Sequence, residues 1–351
     1  MALGMAAIWK KKQFWGGIIG VALLAYCLKD IKPAEIRLLA ERVNLYFLIP
    51  ALLAAILYIY LRAMRWRSII GQVRKVPAFH CLTLYAAGQT LGMLMPALTG
   101  QVGRVMLFSK KASLRKTFVF STLVLEILFD AISLIVFMFV TSLAFVFPSE
   151  YRYLSFVVAG GTVIVLMVLY FILHNQERLD SLCRRRLRHR WPGVYISTKK
   201  FMRSFTKGIE LLRSSHHIAG AMVYSMASWT VHMFVIWFLI KSFGFQVPFA
   251  AASVIMIVNT IVLMVPITPG NAGTFEFAVS ASLAAFGVGR SDAVLFALAL
   301  HMIDIIPVVL FGGLFMRAGD ISIRQIKAKH EEDTIIDRID EDGTFIEEER
   351  V

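Results

Sequence analysis

The chain has 351 residues, of which 58% are hydrophobic and only 17% are charged. An ordinary soluble domain is closer to half apolar and a quarter charged, and several apolar runs here approach or exceed the roughly 20 residues that cross membrane hydrocarbon. The net charge of +14 comes from Lys and Arg clustered beside apolar runs, a pattern that sets membrane orientation. It does not form the basic face with stacking aromatics that nucleic acid requires. Composition therefore predicts an all-α, polytopic integral membrane protein and excludes nucleic acid as a partner.

Six apolar runs are candidates for full transmembrane helices. The first follows three lysines, Lys10 to Lys12, and has the outline of a signal peptide. Bulky Tyr26 stands before Cys27, where a lipoprotein cleavage site needs a small residue, so we expect an uncleaved helix. The six predicted spans are 14–28, 44–61, 117–147, 154–174, 218–241 and 292–316.

Two further apolar stretches, 79–98 and 248–286, are interrupted by Pro and Gly. Basic clusters at 62–75 and 104–116 flank the first stretch and favour the cytoplasm at both of its ends. It is therefore predicted to be a re-entrant hairpin that enters from the cytoplasm, with its irregular backbone sheltered by protein. The second stretch has few flanking positive charges and is predicted to enter from outside. Both termini then lie in the cytoplasm, and the protein spans the cell (inner) membrane several times.

The chain divides into an integral membrane domain at 1–316 and an acidic tail at 317–351, which we expect to be disordered and cytoplasmic. Within the domain, the loop at 175–217 holds eleven Lys or Arg against three Asp or Glu and should be cytoplasmic. It is predicted to contact anionic lipid head groups, or to act as a topology signal alone. The loop or the tail could also dock a lipid-synthesis enzyme.

An internal repeat links the two broken stretches. MPALTGQVGR at 95–104 aligns without a gap with VPITPGNAGT at 265–274, and LEILFDAISLIVF at 125–137 resembles ALHMIDIIPVVLF at 299–311. The aligned pairs are Pro96 with Pro266, Gly100 with Gly270, Gln101 with Asn271, Gly103 with Gly273, and Asp130 with Asp304.

Each repeat unit reads as a broken apolar stretch, a Gly-rich turn and a helix with a buried aspartate. Two related units of opposite orientation are the sequence footprint of an inverted-repeat transporter, whose substrate site lies near mid-membrane between the units. Chance similarity is the alternative, because the match is short and Gly and Pro are common in membrane helices.

Ionisable groups in these stretches are the candidates for chemistry, since each costs roughly 2.5–3.5 kcal/mol at a membrane helix centre. Glu126 and Asp130 are four residues apart and share a helix face, with Arg104 as the predicted counter-ion. The group is either a structural salt bridge or a site for a charged head group or a proton-coupled step. His301 and Asp304 also share a face, and form either a proton relay or a buried hydrogen bond.

The Gly-rich turns offer a second kind of binding group, because free backbone N–H groups at helix starts bind phosphate or carboxylate. Glu276, one turn beyond Gly273, either caps the next helix or faces the cavity. The other histidines, including His174, His216, His217 and His232, lack metal-ligand spacing and are predicted to be interfacial.

Catalytic motifs are absent from the sequence. The chain contains no Walker loop, no GxSxG and no HExxH, and its cysteines, Cys27, Cys81 and Cys183, have no metal-ligand spacing. We therefore predict no enzyme activity, no cofactor and no metal.

The residues resemble a known family of flippase-like membrane domains typified by the transmembrane half of lysylphosphatidylglycerol synthases. The similarity covers about residues 14–316. It rests on four motifs: RAMRWR at 62–67, PALTGQVGR at 96–104, Glu126 with Asp130, and PGNAGTFE at 269–276. Three charges of the family pattern are missing, with Leu98, Gln101 and Ile127 in their places. The soluble aminoacyl-transferase half does not follow residue 316.

The resemblance implies translocation or handling of a lipid, such as a phospholipid, a polyprenyl-linked lipid or a hopanoid. A lipid-modifying enzyme and a non-catalytic scaffold for a lipid-synthesis enzyme are the alternatives. The predicted substrate pathway consists of Pro96, Gly100, Gln101, Gly103, Arg104, Glu126, Asp130, Pro266, Pro269, Gly270, Asn271, Gly273, Glu276, His301 and Asp304.

Overall fold

The structure is a computed structural model that describes residues 19–29, 43–71, 73–94, 98–112, 116–144, 215–263 and 268–318, with a few isolated residues between these ranges. Every regular element in this part of the chain is helical. The α-helices are α1 Ile19–Leu28, α2 Leu45–Ile70, α3 Ala78–Leu94, α4 Leu98–Lys111, α5 Lys116–Ala144, α6 Ser215–Ser242, α7 Ala250–Leu263, α8 Thr274–Ala284 and α9 Arg290–Ala318.

Four of these helices, α2, α5, α6 and α9, are long and apolar enough to cross a membrane. They correspond to four of the six predicted spans, so the all-α, polytopic membrane class is confirmed. Helix α1 is the described part of the predicted span 14–28. The span 154–174, most of the basic loop and nearly all of the acidic tail lie outside the described ranges.

Helix α2 extends beyond its predicted end at residue 61. It continues to Ile70 and contains RAMRWR, which was predicted to lie in a cytoplasmic loop. The prediction was wrong because two of these arginines find buried carboxylate partners, described below, while Arg67 donates a hydrogen bond from Nε to the Val76 carbonyl at 2.7 Å. The basic residues therefore extend the helix instead of ending it.

Helices α2 and α6 form an antiparallel pair with contacts near both of its ends. At one end the Asn44 N–H donates to the Ser242 carbonyl at 2.8 Å, and at the other the Ser68 hydroxyl donates to the His217 carbonyl at 3.4 Å. Between these contacts, fully buried Ala51 belongs to the same apolar core as the buried aliphatic side chains of α6. Small residues allow membrane helices to approach closely, so this pair forms the central support of the fold.

Two short helices pack against each other at each broken stretch, and the first pair extends to Lys111, past the end at residue 98 that the sequence predicted. In the first, a Cβ on Gly88 of α3 would lie 2.7 Å from the Phe108 ring of α4. In the second, Ile255 of α7 shares a buried core with Phe275 and Val279 of α8. The prolines Pro96 and Pro266 fall in short segments outside the described residues, between the two helices of each pair.

The two breaks differ in local structure, although their sequences align. Helix α4 begins at Leu98 and runs through Gly100 and Gly103, so the Gly-rich turn predicted there was wrong. A glycine in a helix costs only about 1 kcal/mol, which the buried packing of α4 offsets. The second stretch contains a 3-10 turn, Pro269–Asn271, before α8 begins.

That turn depends on residues that tolerate a left-handed backbone. Gly270, Asn271 and Gly273 have φ values of 60°, 59° and 83°. Glycine adopts this region readily and asparagine more readily than most residues. The first stretch has Gln101 at the place of Asn271 and Thr99 at the place of Pro269, and there the chain is helical.

The second helix pair and the first are each covered by the long helix of the other half. Gly312 of α9 packs on α3, where the Thr90 hydroxyl donates to the Val308 carbonyl at 3.3 Å. Conversely, Leu134 and Met138 of α5 pack against α7. This exchange brings the charged residues of both halves to one place between α2, α5, α6 and α9.

Candidate functional site

The first charged cluster joins α2 to α5. Arg65 contacts both predicted carboxylates: its Nη2 lies 2.9 Å from Glu126 Oε1, and its Nη1 donates to Asp130 Oδ1 and to the Ser225 hydroxyl. Arg62, one turn earlier, places Nη2 3.0 Å from Asp130 Oδ2. The two carboxylates therefore share two guanidinium groups, which removes the repulsion expected between them.

Arg104 supplies a third guanidinium from α4. Its Nη2 lies 2.6 Å from Glu126 Oε2, which is the counter-ion role predicted for it. The Tyr85 hydroxyl donates to Glu126 Oε1 at 2.7 Å and accepts a hydrogen bond from the Gln89 amide at 2.7 Å. Every oxygen of Glu126 thus has at least one charged and close partner.

The cluster carries one uncompensated positive charge, since three guanidinium groups face two carboxylates. Arg65, Arg104 and Glu126 are almost completely enclosed by protein. The side chains of Arg62 and Asp130 are each 21% exposed, and both line a cavity. An isolated charge in a low-dielectric interior is costly, so the excess charge is available to an anion at the Arg62 end.

A second ionic group lies in the other half, around α8 and α9. His301 Nδ1 lies 2.7 Å from Glu276 Oε1, and Glu276 Oε2 accepts a hydrogen bond from the Gly273 N–H at 2.7 Å. The His301 ring stacks on Phe275 with centroids 4.2 Å apart. The predicted capping role of Glu276 is confirmed, because it accepts an N–H that the helix start leaves free.

Helix α1 closes the outer side of this turn. A Cβ on Gly273 would lie 2.6 Å from the Gly20 carbonyl oxygen and 2.7 Å from the Leu23 side chain. The Arg290 guanidinium donates to the Tyr26 carbonyl at 2.9 Å and anchors the other end of α1. The glycine at 273 is therefore required twice, for its positive φ and for this close approach.

The sequence predicted that Asp304 pairs with His301, and this prediction was wrong. The two residues share a helix face, but His301 is held by Glu276, and Asp304 contacts His232 of α6 instead. The His232 Nε2 lies 3.3 Å from both carboxylate oxygens of Asp304. The prediction that His232 is interfacial was also wrong, since His232 is buried.

Aromatic residues connect the arginine cluster to the His232–Asp304 pair. The Tyr58 hydroxyl accepts a hydrogen bond from Arg62 Nη1 at 2.6 Å, and its ring stacks on His232 with centroids 4.6 Å apart. From α6, the Trp229 indole donates to Asp130 Oδ1 at 3.0 Å. Tyr58 and Trp229 thus stand between the arginine cluster and the His232–Asp304 pair.

These side chains surround a cavity of about 370 Å³. Both broken stretches reach it, with Gln89 and Met93 from α3 and Gly270 and Asn271 from the 3-10 turn. The end of α3 and the 3-10 turn also contact each other. The polar and ionisable side chains that line the cavity are Tyr58, Arg62, Tyr85, Gln89, Asp130, Trp229, His232, Asn259, Thr260, Asn271, His301 and Asp304.

The remaining predicted residues are distributed around this cavity or beyond it. Gly100 and Gln101 lie in the first turn of α4, and Gly103 is buried in the same helix. Pro269 begins the 3-10 turn on an exposed position. Pro96 and Pro266 lie outside the described residues, so their predicted place between the hairpins stays a prediction.

Sequence reasoning missed Tyr58, Arg62, Arg65, Trp229 and His232 as site residues. A signal for them existed, because Arg62 and Arg65 are three apart, as are Trp229 and His232, and this spacing places each pair on one helix face. Charge counting assigned the arginines to a loop, and nothing in the sequence indicated which histidine would find which carboxylate.

Comparison with known proteins decides the family. Residues 13–312 match the model of the lysylphosphatidylglycerol synthase TM region. The chain belongs to this family. A UPF0104 membrane protein of Pyrococcus horikoshii is similar, with 24% identity over 320 residues that cover 85% of this chain and 95% of that protein. No solved structure matches the chain.

Membership in the lysylphosphatidylglycerol synthase TM family confirms the resemblance and the prediction that this is a membrane protein with several apolar helices. The match includes both broken stretches and all of the ionic residues described above. The cavity between the two stretches is therefore a feature of the part of the chain that defines the family.

Proposed function

We propose that this protein translocates a lipid across the cell membrane, with the polar headgroup passing through the cavity between the two broken stretches. The observation that carries the proposal is a cavity lined by both stretches and bordered by the arginine cluster with its excess positive charge. Ionisable residues in a membrane domain are retained for function by default because they are costly. The excess charge favours a lipid with an anionic group, such as a phosphate.

An inverted repeat supports a transport role over a static one. Helices α2 to α5 and α6 to α9 follow one order, in which a long helix, two short helices and a second long helix succeed each other. Their first helices, α2 and α6, run antiparallel, as expected if the units have opposite orientation. Transporters of this architecture bind substrate at the interface between the repeats and open it alternately to the two sides.

The first test is translocation in vesicles. Purified protein in phosphatidylcholine vesicles with a trace of fluorescent phosphatidylglycerol should move the labelled lipid between leaflets, measured by its accessibility to an external quencher. Arg62→Gln should slow this by at least about tenfold, since charge-assisted contacts contribute about 1.5–3 kcal/mol. Arg74→Gln is the matched control, because Arg74 is exposed and lies outside the cluster.

Two outcomes would contradict this proposal. In the first, the protein moves none of phosphatidylglycerol, phosphatidylethanolamine and a polyprenyl phosphate. In the second, Arg62→Gln and Arg74→Gln translocate the labelled lipid at the same rate. A change in the mass of the lipid after incubation would instead favour the lipid-modifying enzyme.

We also propose that the basic loop at 175–217 and both termini lie in the cytoplasm, because the loop has an excess of Lys and Arg. Cys183 lies in this loop, whereas Cys27 and Cys81 are buried. A membrane-impermeant maleimide should therefore label Cys183 in inside-out vesicles and not in intact cells. Labelling in intact cells would reverse the orientation.

A further inference from the structure

Two His–carboxylate pairs border the cavity, and they differ in how well their polar atoms are satisfied. In the Glu276–His301 pair the contact is 2.7 Å, the second carboxylate oxygen takes a backbone N–H, and α1 covers the turn. This pair is a finished structural unit. Both carboxylate oxygens of Glu276 and the Nδ1 of His301 therefore have close polar partners.

The His232–Asp304 pair is incomplete. Its Nε2 to oxygen distance is 3.3 Å, and both His232 Nδ1 and Asp304 Oδ1 are buried without a hydrogen-bond partner in the described part of the protein. Asn259 Oδ1, on the same cavity wall, is equally unpaired. Buried polar atoms without partners are rare and costly. Three such atoms beside one cavity therefore indicate a site that binds a ligand or a proton.

The two aspartates occupy related places but have different cationic partners. Arg62 and His232 are 170 residues apart, the same separation as Pro96 and Pro266, while Asp130 and Asp304 are 174 apart. Thus Arg62 with Asp130 in the first half corresponds to His232 with Asp304 in the second. Arginine stays charged at every relevant pH, whereas histidine ordinarily changes its charge between about pH 5 and 8.

We propose that His232 and Asp304 bind a proton, and that the protein carries this proton together with each anionic headgroup. The proposal rests on the lipid translocation argued above and adds its energy source. In the neutral imidazole, Nε2–H donates to Asp304 and Nδ1 is free. The incoming proton binds Nδ1, the imidazolium is balanced by the Asp304 carboxylate, and the same proton leaves on the opposite side.

Tyr58 provides the coupling between proton and headgroup. It accepts a hydrogen bond from Arg62 and stacks on His232, so the two cationic positions are separated by one ring. Asp304 and Tyr58 contact His232 directly. Arg62 and Asp130 are hydrogen-bonded to its ring neighbours Tyr58 and Trp229, and His301 lines the same cavity. An anion bound at Arg62 cancels the excess positive charge of the cluster and so favours the imidazolium, and by linkage the imidazolium favours the anion.

The test uses the same phosphatidylcholine vesicles, with fluorescent phosphatidylglycerol as the probe and a pH-sensitive dye inside. A pH gradient should accelerate translocation by at least about fivefold over symmetric pH, the lower end of typical couplings between sites. The dye should report proton movement only when phosphatidylglycerol is present. His232→Gln and His232→Arg should each bring the ratio of the two rates to about one, since neither can exchange a proton near neutral pH.

His80→Gln is the matched control, because His80 is exposed near the start of α3, and it should keep the fivefold ratio. If wild-type protein moves the lipid equally fast with and without the gradient, proton coupling is overturned while translocation stands. If His301→Gln loses the gradient effect and His232→Gln keeps it, the assignment to His232 is overturned. Absence of any lipid movement at any pH would overturn the translocation on which the proposal rests.

Discussion

The two halves of this protein use one helical plan to hold different charges. The first half concentrates three arginines on two carboxylates, with Arg104 and Glu126 2.6 Å apart, and arginine stays charged at every relevant pH. The second half divides its ionic groups into two histidine–carboxylate pairs, one tight and one loose. One side of the cavity therefore holds arginines, which keep their charge, and the other holds the His232–Asp304 pair, to which we assign the proton in the proposal above.

The largest expected effect of a substitution is at Arg65, in the arginine cluster of the first half. Arg65→Met should destabilise the protein by about 3–5 kcal/mol, because it removes a fully buried guanidinium that contacts both Glu126 and Asp130. The measurement is the midpoint of unfolding in detergent, followed by tryptophan fluorescence. Arg74→Met removes an exposed arginine and should stay within about 0.5 kcal/mol of wild type. Equal effects of the two variants would show that the cluster does not stabilise the fold.

The aligned glycines offer the next test, because only the second half uses them in a turn. Gly273→Ala should cost about 3 kcal/mol, since it combines a positive φ with a Cβ placed 2.6 Å from the Gly20 carbonyl. Gly92→Ala in α3 meets nothing within 4 Å and should be neutral or slightly stabilising, because alanine favours the helix. If Gly273→Ala unfolds at the wild-type midpoint, the described turn is incorrect.

The smallest effect concerns the contrast between the two histidine pairs. Glu276→Gln should cost about 1.5–3 kcal/mol, since it weakens two charge-assisted contacts of 2.7 Å. Asp304→Asn should cost less, under about 1 kcal/mol, because its contacts with His232 are 3.3 Å long and its Oδ1 accepts no hydrogen bond in the described structure. The same unfolding measurement compares them, and a larger effect of Asp304→Asn would reverse the assignment of the tight and loose pairs.

Much of the fold could be predicted from the sequence because apolar length and Pro–Gly interruptions act locally. The long helices, the two interrupted stretches and the Glu126–Arg104 pair follow from composition and spacing. The end of α2 could not be predicted, since Arg62 and Arg65 look like a cytoplasmic cluster until their distant partners are known. The histidine partners could not be predicted for the same reason. Asp304 and His301 are neighbours on one helix, yet Asp304 contacts His232 and His301 contacts Glu276, each on another helix.

The antiparallel pair of α2 and α6 has a mechanical consequence. Hydrogen bonds at Asn44–Ser242 and Ser68–His217 join the two helices at both ends, which opposes sliding or separation of the two helices. We therefore expect a movement that opens the cavity to involve the short helices, since α3 follows α2 through residues 71–77 and α7 follows α6 through residues 243–249. Tyr58, Arg62, Trp229 and His232 all lie on this pair, so under the proposed transport cycle these side chains would keep their relative positions while the short helices move around them.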